Sequence, residues 1–192
     1  PAAARVLWQQ VRDGTGAATL MASALGNRIL KVNHAGEHGA VNIYRAQIFV
    51  SRLTAPQMTD MLIHFITHEQ RHRALFWGLM QARDVRRCKS YLLCGIGGYV
   101  LGFVTALLGS QAIASTTYAV ESVVLGHLEQ QIIALDETDK EARNTIADIV
   151  EEEQAHHDQG RALIETGKFW PALITPIVRL STETVIWLGM RL

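Results

Sequence analysis

The stretch Glu151-Glu152-Glu153-Gln154-Ala155-His156-His157 lies in the middle of a long helical pattern and decides the fold. Apolar residues on both sides of it recur at the three- and four-residue spacing of one helix face, and Glu153 and His156 fall on that face. Burying a carboxylate without a positive partner is costly, so a cation is expected beside it. A Glu-x-x-His pair that projects into a helical bundle is one way in which such bundles hold pairs of metal ions.

The same motif occurs a second time, and its surroundings repeat with it. Glu69 and His72 form the other Glu-x-x-His pair, and each pair has a further glutamate 32 residues before its own glutamate. The chain therefore contains two units offset by 84 residues. Four carboxylates and two imidazoles suit two iron atoms, because carboxylates can bridge and imidazoles favour iron or manganese over calcium or magnesium. The six predicted metal ligands are Glu37, Glu69, His72, Glu121, Glu153 and His156.

Each unit is predicted to be a pair of antiparallel helices. The ligands of two such helices lie at one level only if the turn falls midway, near residue 54 in the first unit and residue 138 in the second. Leu53-Thr54-Ala55-Pro56 and Asp136-Glu137-Thr138-Asp139 are both turn sequences. The predicted fold class is all-α, a four-helix bundle of two tandem helix hairpins. Its helices are predicted over residues 19–53, 57–83, 110–135 and 140–166, in a single domain over 19–192 that follows an uninformative segment over 1–18.

The segment between the two units is unusually apolar. Residues 91–109 carry no charge, which by length suggests a membrane span. One crossing would, however, place the two units on opposite sides of the bilayer and separate the six ligands. We therefore predict a long apolar crossover helix whose exposed face enters one membrane leaflet or binds a partner, with an ordinary buried helix as the alternative. Residues 169–192 are predicted to form a last amphipathic helix, at a membrane surface or as a cap on the bundle.

Composition excludes several classes of protein. Lysine plus arginine and aspartate plus glutamate both total 18, which gives no electrostatic reason to expect binding to nucleic acid or to an anionic membrane. Cys88 and Cys94 form no Cys-x-x-Cys pair, so a disulfide framework, a zinc knuckle and a rubredoxin-type iron centre are not supported. A reducing, intracellular setting is expected. Residues 1–16 lack the pattern of a secretory signal.

A zinc peptidase is the main alternative based on a motif. His68-Glu69-Gln70-Arg71-His72 matches His-Glu-x-x-His, in which two histidines bind zinc and the glutamate is a general base. The second unit does not repeat this motif, because Glu152 stands where the first histidine would be. A zinc peptidase would also leave Glu37, Glu121 and the Glu153 pair unexplained on core faces.

Longer motifs around the predicted ligands carry a family resemblance. The segment 32–40, Val-Asn-His-Ala-Gly-Glu-His-Gly-Ala, followed by Ile43-Tyr44, closely resembles the signature of the demethoxyubiquinone hydroxylase family. Ala119-Val120-Glu121 and the segment 152–158 resemble it as well, and the likeness covers about residues 28–192. The chain departs from the family pattern at Asn33, where relatives often have Asp, and at His38 and Leu128, where mitochondrial relatives have aromatic residues.

The resemblance implies a ferritin-like di-iron monooxygenase, a 3-demethoxyubiquinol 3-hydroxylase of ubiquinone biosynthesis. Such enzymes hydroxylate the ring of a polyprenyl demethoxybenzoquinol with O2 and NADH-derived reducing equivalents. The resemblance also implies that the six residues hold two iron ions, with Glu69 and Glu153 bridging. A ferritin-like iron-storage or peroxidase protein and a lipid-carrying bundle with an inactive site remain alternatives.

The resemblance further implies where the protein acts. It places the protein on a membrane as a peripheral protein of one leaflet, at the cytoplasmic face of a bacterial membrane or the matrix face of the mitochondrial inner membrane. Its partners would be the polyprenyl quinone and other proteins of ubiquinone biosynthesis, and the chain could form an oligomer. Nucleic acid is not expected as a partner.

Overall fold

The structure is a computed structural model that describes residues 15–167 and 169–192, with side chains from residue 24 onward. Across these residues the fold is all-α, without β-strands, which confirms the predicted fold class. Most of the predicted N-terminal segment 1–18 lies outside the described residues. The helices are α1 (Thr15–Thr54), a 3-10 turn (Pro56–Met58), α2 (Thr59–Ala82), α3 (Tyr91–Leu107), α4 (Ser110–Leu135), α5 (Lys140–Ala147), α6 (Val150–Ala162) and α7 (Phe169–Gly189).

Both turns lie where they were predicted, midway between the ligands of each unit. The first joins α1 to α2 through the 3-10 turn that begins at Pro56. The second lies between α4 and α5, where the Asp139 side chain caps α5 by accepting a hydrogen bond from the Ala142 amide at 3.1 Å. Arg83, just after α2, donates to both carboxylate oxygens of Asp139 at 2.6 and 2.8 Å. This bidentate pair fixes the end of α2 against the turn of the second hairpin.

The last helix of the second hairpin is not continuous, as the prediction over 140–166 had it. It is interrupted at Asp148 and Ile149, and it ends at Ala162. The Ile149 amide donates to the Ile146 carbonyl at 3.3 Å, a three-residue spacing that tightens the helix one turn before Glu153. Ile146 and Ile149 are both fully buried, so the apolar pattern runs across the interruption and could not reveal it.

Helix α3 connects the hairpins and packs along α1 through glycines. A side chain at Gly98 would collide with the Gly39 carbonyl oxygen, and one at Gly102 would collide with that of Ile43. This close approach leaves the larger side chains of α3 on the outside, so the predicted exposed apolar face is confirmed and the buried-helix alternative is wrong. In the described part of the chain, no helix is both long and apolar enough to span a bilayer. The exposed face of α3 comprises Leu92, Leu93, Ile96, Val100, Val104 and Leu107.

Helix α7 is amphipathic, as predicted. Ile174 and Val178 are buried against Ala112 and Ala119 of α4, so one face of α7 covers the bundle. Its opposite face leaves large apolar side chains in contact with solvent, namely Phe169, Ile177, Leu180 and Trp187.

Two apolar clusters lie on either side of the predicted ligands. The first includes Leu30, Phe76 and Ile149, and the second includes Tyr44 and Phe65. On α1 the first cluster precedes Glu37 and the second follows it, while on α2 the order is reversed, as it must be in antiparallel helices. The ligands therefore sit in a polar layer between two dry layers.

Candidate metal centre

All six predicted ligands meet in this polar layer. Their ligand atoms form two groups, and within each group these atoms lie within 4.8 Å of one another. Glu69 and Glu153 belong to both groups, which is the arrangement that a bridging role requires. Every one of the six side chains is buried, with Glu37 the most exposed at 6%. The first group is Glu37, Glu69, His72 and Glu153, and the second is Glu69, Glu121, Glu153 and His156.

The centre contains buried polar atoms that the protein itself does not satisfy. Nδ1 of His72 lies 2.8 Å from a Glu153 carboxylate oxygen, and Nδ1 of His156 lies 3.2 Å from Glu69 Oε1. None of these atoms has a hydrogen-bond partner, although most buried polar atoms in proteins do. Two shared cations would satisfy all of them, so the residues present fit a pair of metal ions.

Hydrogen bonds on the far side of each histidine orient its ring. Nε2 of His72 lies 2.8 Å from Oε2 of Glu152, which also accepts from Arg71 at 2.8 Å. Nε2 of His156 lies 3.1 Å from Nδ1 of His68. Because Nε2 of each ring is engaged in this way, Nδ1 is left facing the centre as a ligand atom.

Glu152 and His68 were not recognised as part of the centre from the sequence, although a signal was present. Each directly precedes the glutamate of a Glu-x-x-His pair, and the two positions are 84 residues apart, like the ligands themselves. The support is crossed, since Glu152 on α6 holds the histidine of α2 and His68 on α2 holds the histidine of α6. The residue before each Glu-x-x-His pair differs between the two units, being His68 in one and Glu152 in the other, and this difference argued against a zinc peptidase. The same position supplies the side chain that supports a ligand histidine.

The placement of His68 does not favour the zinc peptidase alternative. Its Nδ1 is directed at His156, and His68 belongs to neither of the two groups of ligand atoms. Only one histidine of the His-Glu-x-x-His motif, His72, therefore faces the centre.

Tyr44 holds the remaining glutamate of the second unit. Its hydroxyl donates a hydrogen bond of 2.9 Å to Glu121 Oε1. Burial, together with the nearby Glu121 carboxylate, raises the pKa of Tyr44 well above its usual range, so the hydroxyl keeps its proton. One Glu121 oxygen is thereby fixed by the protein and the other can face a metal ion.

The carboxylates of the centre differ in the direction in which burial and their neighbours shift the pKa. Burial and the neighbouring carboxylates raise the pKa of Glu37, Glu121 and Glu153 well above the usual value. Burial also acts on Glu69, but contacts with His156 and Glu37 outweigh it and lower its pKa. Outside the ligand groups, hydrogen bonds from Arg71 and His72 outweigh burial and lower the pKa of Glu152 to about 2. Without a cation, the centre therefore keeps protons that a metal ion would displace.

The fold and the site together define an all-α bundle protein with a buried carboxylate–histidine cluster that fits metal ions, of the class in which two Glu-x-x-His pairs and two further glutamates converge. Within that class the comparison with known families is specific. Residues 24–189 match the family described as ubiquinone biosynthesis protein COQ7, and the chain belongs to this family.

The names of individual relatives agree with this family. The chain is 33% identical over 170 residues to the NADPH-dependent 3-demethoxyubiquinone 3-hydroxylase of Dictyostelium discoideum, covering 85% of this chain and 76% of that protein. It is 32% identical over 171 residues to the 3-demethoxyubiquinol 3-hydroxylase of Rhodospirillum rubrum, covering 88% and 79%. The NADPH-dependent 3-demethoxyubiquinone 3-hydroxylase of Homo sapiens is 32% identical over 172 residues, covering 86% and 77%.

Proposed function

We propose that this protein is a 3-demethoxyubiquinol 3-hydroxylase of ubiquinone biosynthesis that holds two iron ions. The observation that carries the proposal is the convergence of six buried ligands in two groups sharing Glu69 and Glu153, in a chain of this family. The substrate is a polyprenyl demethoxybenzoquinol, and the co-substrates are O2 and reducing equivalents derived from NADH or NADPH. NADPH dependence is part of the names of several relatives.

When bound, the iron pair supplies electron transfer and activation of O2. The protein supplies position and exclusion of water. Glu37 and His72 would hold one iron, Glu121 and His156 would hold the other, and Glu69 and Glu153 would bridge them. Glu152 and His68 keep Nδ1 of the two imidazole rings turned towards the centre, where it would bind iron, and Tyr44 keeps one oxygen of Glu121 engaged. The apolar layers formed by residues such as Phe76 and Phe65 keep bulk water away from the centre.

The exposed apolar faces fit a substrate with a polyprenyl tail. Leu92 and Ile96 of α3 are 71% and 66% exposed, and Leu180 of α7 is 71% exposed. Faces of this kind occur on proteins that bind lipid or a partner. The protein would lie on one leaflet, at the cytoplasmic face of a bacterial membrane or the matrix face of the mitochondrial inner membrane. Other proteins of ubiquinone biosynthesis and a second copy of the chain are further candidate partners.

Hydroxylation of a short-chain demethoxybenzoquinol in 18O2 tests the proposal. The iron-loaded protein with a reductant is expected to insert one 18O atom into the ring, as measured by mass spectrometry. Glu153→Ala should abolish the product, whereas Glu151→Ala, which removes an exposed neighbour outside the centre, should not. Peroxide consumption or iron mineralisation without a hydroxylated product would instead identify an iron-storage or peroxidase protein.

A further inference from the structure

A shallow groove lies between α1 and α3, on the outside of the bundle. Its volume is about 320 Å³. Its α1 wall is polar and its α3 wall is apolar, which is an amphipathic surface. Leu92, Ile96 and Val100 of the apolar wall are each more than half exposed. The lining side chains are His38, Asn42, Leu92, Ile96, Tyr99 and Val100.

Three arginines adjoin the polar wall, and each reaches it through a contact with a ring or an amide. Nη1 of Arg73 lies 3.2 Å from Nδ1 of His38, and Nη1 of Arg45 donates to Asn42 Oδ1 at 3.3 Å. The Arg87 guanidinium stacks on Tyr91 at 4.9 Å, and the Tyr91 ring stacks in parallel on His38 at 4.0 Å. Three elements of the chain thus direct positive charge at one groove.

No carboxylate neutralises these arginines within ion-pair distance in the described residues. The arginine ion pairs there involve Arg71, Arg83 and Arg143. The equal totals of acidic and basic residues therefore conceal a local excess of positive charge, and it is the local charge that attracts a ligand.

We propose that the groove between α1 and α3 binds the anionic headgroup of a membrane phospholipid, with Arg45, Arg73 and Arg87 facing the phosphate and the apolar wall of α3 facing the acyl chains. The polar and apolar walls match the two halves of such a lipid. A soluble anion such as a nucleotide would match the arginines but would leave Leu92, Ile96 and Val100 in water. The inference rests on the proposed contact with a membrane and adds a requirement for negative charge in that membrane.

Vesicle flotation of the full chain tests the inference. Vesicles of phosphatidylcholine alone are compared with vesicles that also contain phosphatidylglycerol. A basic residue near an anionic surface gains roughly 1 kcal/mol, or about fivefold in binding, so three arginines predict a preference of about 100-fold for the anionic vesicles. The preference should weaken as salt is added, because salt screens surface charge.

A matched pair of triple variants shows whether the groove is responsible. Arg45→Gln/Arg73→Gln/Arg87→Gln should lose most of the preference for anionic vesicles. Arg28→Gln/Arg143→Gln/Arg161→Gln removes the same charge elsewhere and should keep it. Circular dichroism checks that each variant is helical, and Arg87→Gln alone, at an exposed position, should show about a fivefold loss if the triple variant does not fold.

Three outcomes would overturn the inference. Equal binding of the wild-type chain to both kinds of vesicle would overturn it while leaving the membrane contact intact. Binding to neither would overturn the membrane contact as well. Saturable binding of NADPH or inorganic phosphate in the absence of lipid, lost in the groove variant and kept in the control, would show that the arginines hold a soluble anion instead.

Discussion

Nε2 of His72 lies 2.8 Å from Oε2 of Glu152, a residue of the opposite hairpin that directly precedes the ligand Glu153. The bond joins the two units at the level of the centre, and Arg71 donates to the same Glu152 oxygen at 2.8 Å. Such partners raise the basicity of a metal-bound imidazole and fix its orientation. The histidine of the second unit has the neutral side chain of His68 in the same place, at 3.1 Å. The surroundings of the two histidines therefore differ in charge.

The first prediction concerns Glu152. Replacing it with glutamine removes the anionic partner of His72 and should lower metal affinity about 10- to 100-fold, with helicity unchanged. Competition with a chromophoric chelator measures the affinity. Glu151→Gln is the matched control, because this exposed neighbour loses the same charge but does not face the centre. Equal losses in both variants would mean that only the overall negative charge of the helix matters.

The second prediction concerns pH. Glu37, Glu121 and Glu153 have raised pKa values in the metal-free fold, so the folded chain binds more protons than the unfolded chain above about pH 4.5. Stability of the metal-free protein should then fall as pH rises towards the folded-state pKa values. Metal ions displace these protons and remove that penalty. The increase in Tm on adding metal should be larger at about pH 8 than at about pH 6.

Differential scanning fluorimetry of metal-free and metal-loaded protein at both pH values gives this comparison. Comparing the two forms at each pH cancels the titration of groups far from the centre. An increase in Tm that is larger at the lower pH would contradict the assigned direction of the pKa shifts.

The third prediction concerns the packing of α3 on α1. Gly98→Ala places a methyl group against the Gly39 carbonyl oxygen and should lower the free energy of unfolding by about 1–3 kcal/mol. Gly97→Ala adds the same methyl group where nothing lies within 4 Å, and it should be neutral or stabilise by up to about 1 kcal/mol. Urea denaturation of both variants distinguishes these effects. Similar stabilities would show that α3 is not held by close backbone contact.

The fourth prediction concerns the apolar face of α3. Ile96→Asp should reduce partitioning onto vesicles by at least about tenfold, because burying an isoleucine contributes roughly 1.5–3 kcal/mol. Ile133→Asp is the matched control, since Ile133 is also exposed, at 77%, but lies near the end of α4. If both variants bind vesicles as the wild-type chain does, the face serves a protein partner and not lipid.

Much of the fold could be predicted because the ligands impose a repeat on the chain. The spacing from Glu37 to Glu69 recurs from Glu121 to Glu153, and it predicted both turns and with them the end of α4. The interruption before Glu153 could not be predicted, because Ile146 and Ile149 keep the helical apolar pattern across it.

The surroundings of the centre were harder to predict than the ligands. The partner of His72 lies on another hairpin, so no local spacing on α2 points to Glu152. The arginines beside the groove come from α1, α2 and the segment that follows α2, and only the folded chain brings Arg45, Arg73 and Arg87 to one place. The net charge is a sum over the whole chain, so it does not reveal such a cluster.

The central claim is that six side chains hold a shared pair of irons, and metal stoichiometry after anaerobic loading with Fe(II) tests it most directly. Elemental analysis that counts iron and zinc should give two irons per chain for the wild-type protein and for Glu151→Ala. Glu153→Ala, which removes a ligand common to both groups, should lose most of the iron while remaining helical. Full iron occupancy in Glu153→Ala, or a wild-type chain that binds a single zinc ion and no iron, would contradict the account.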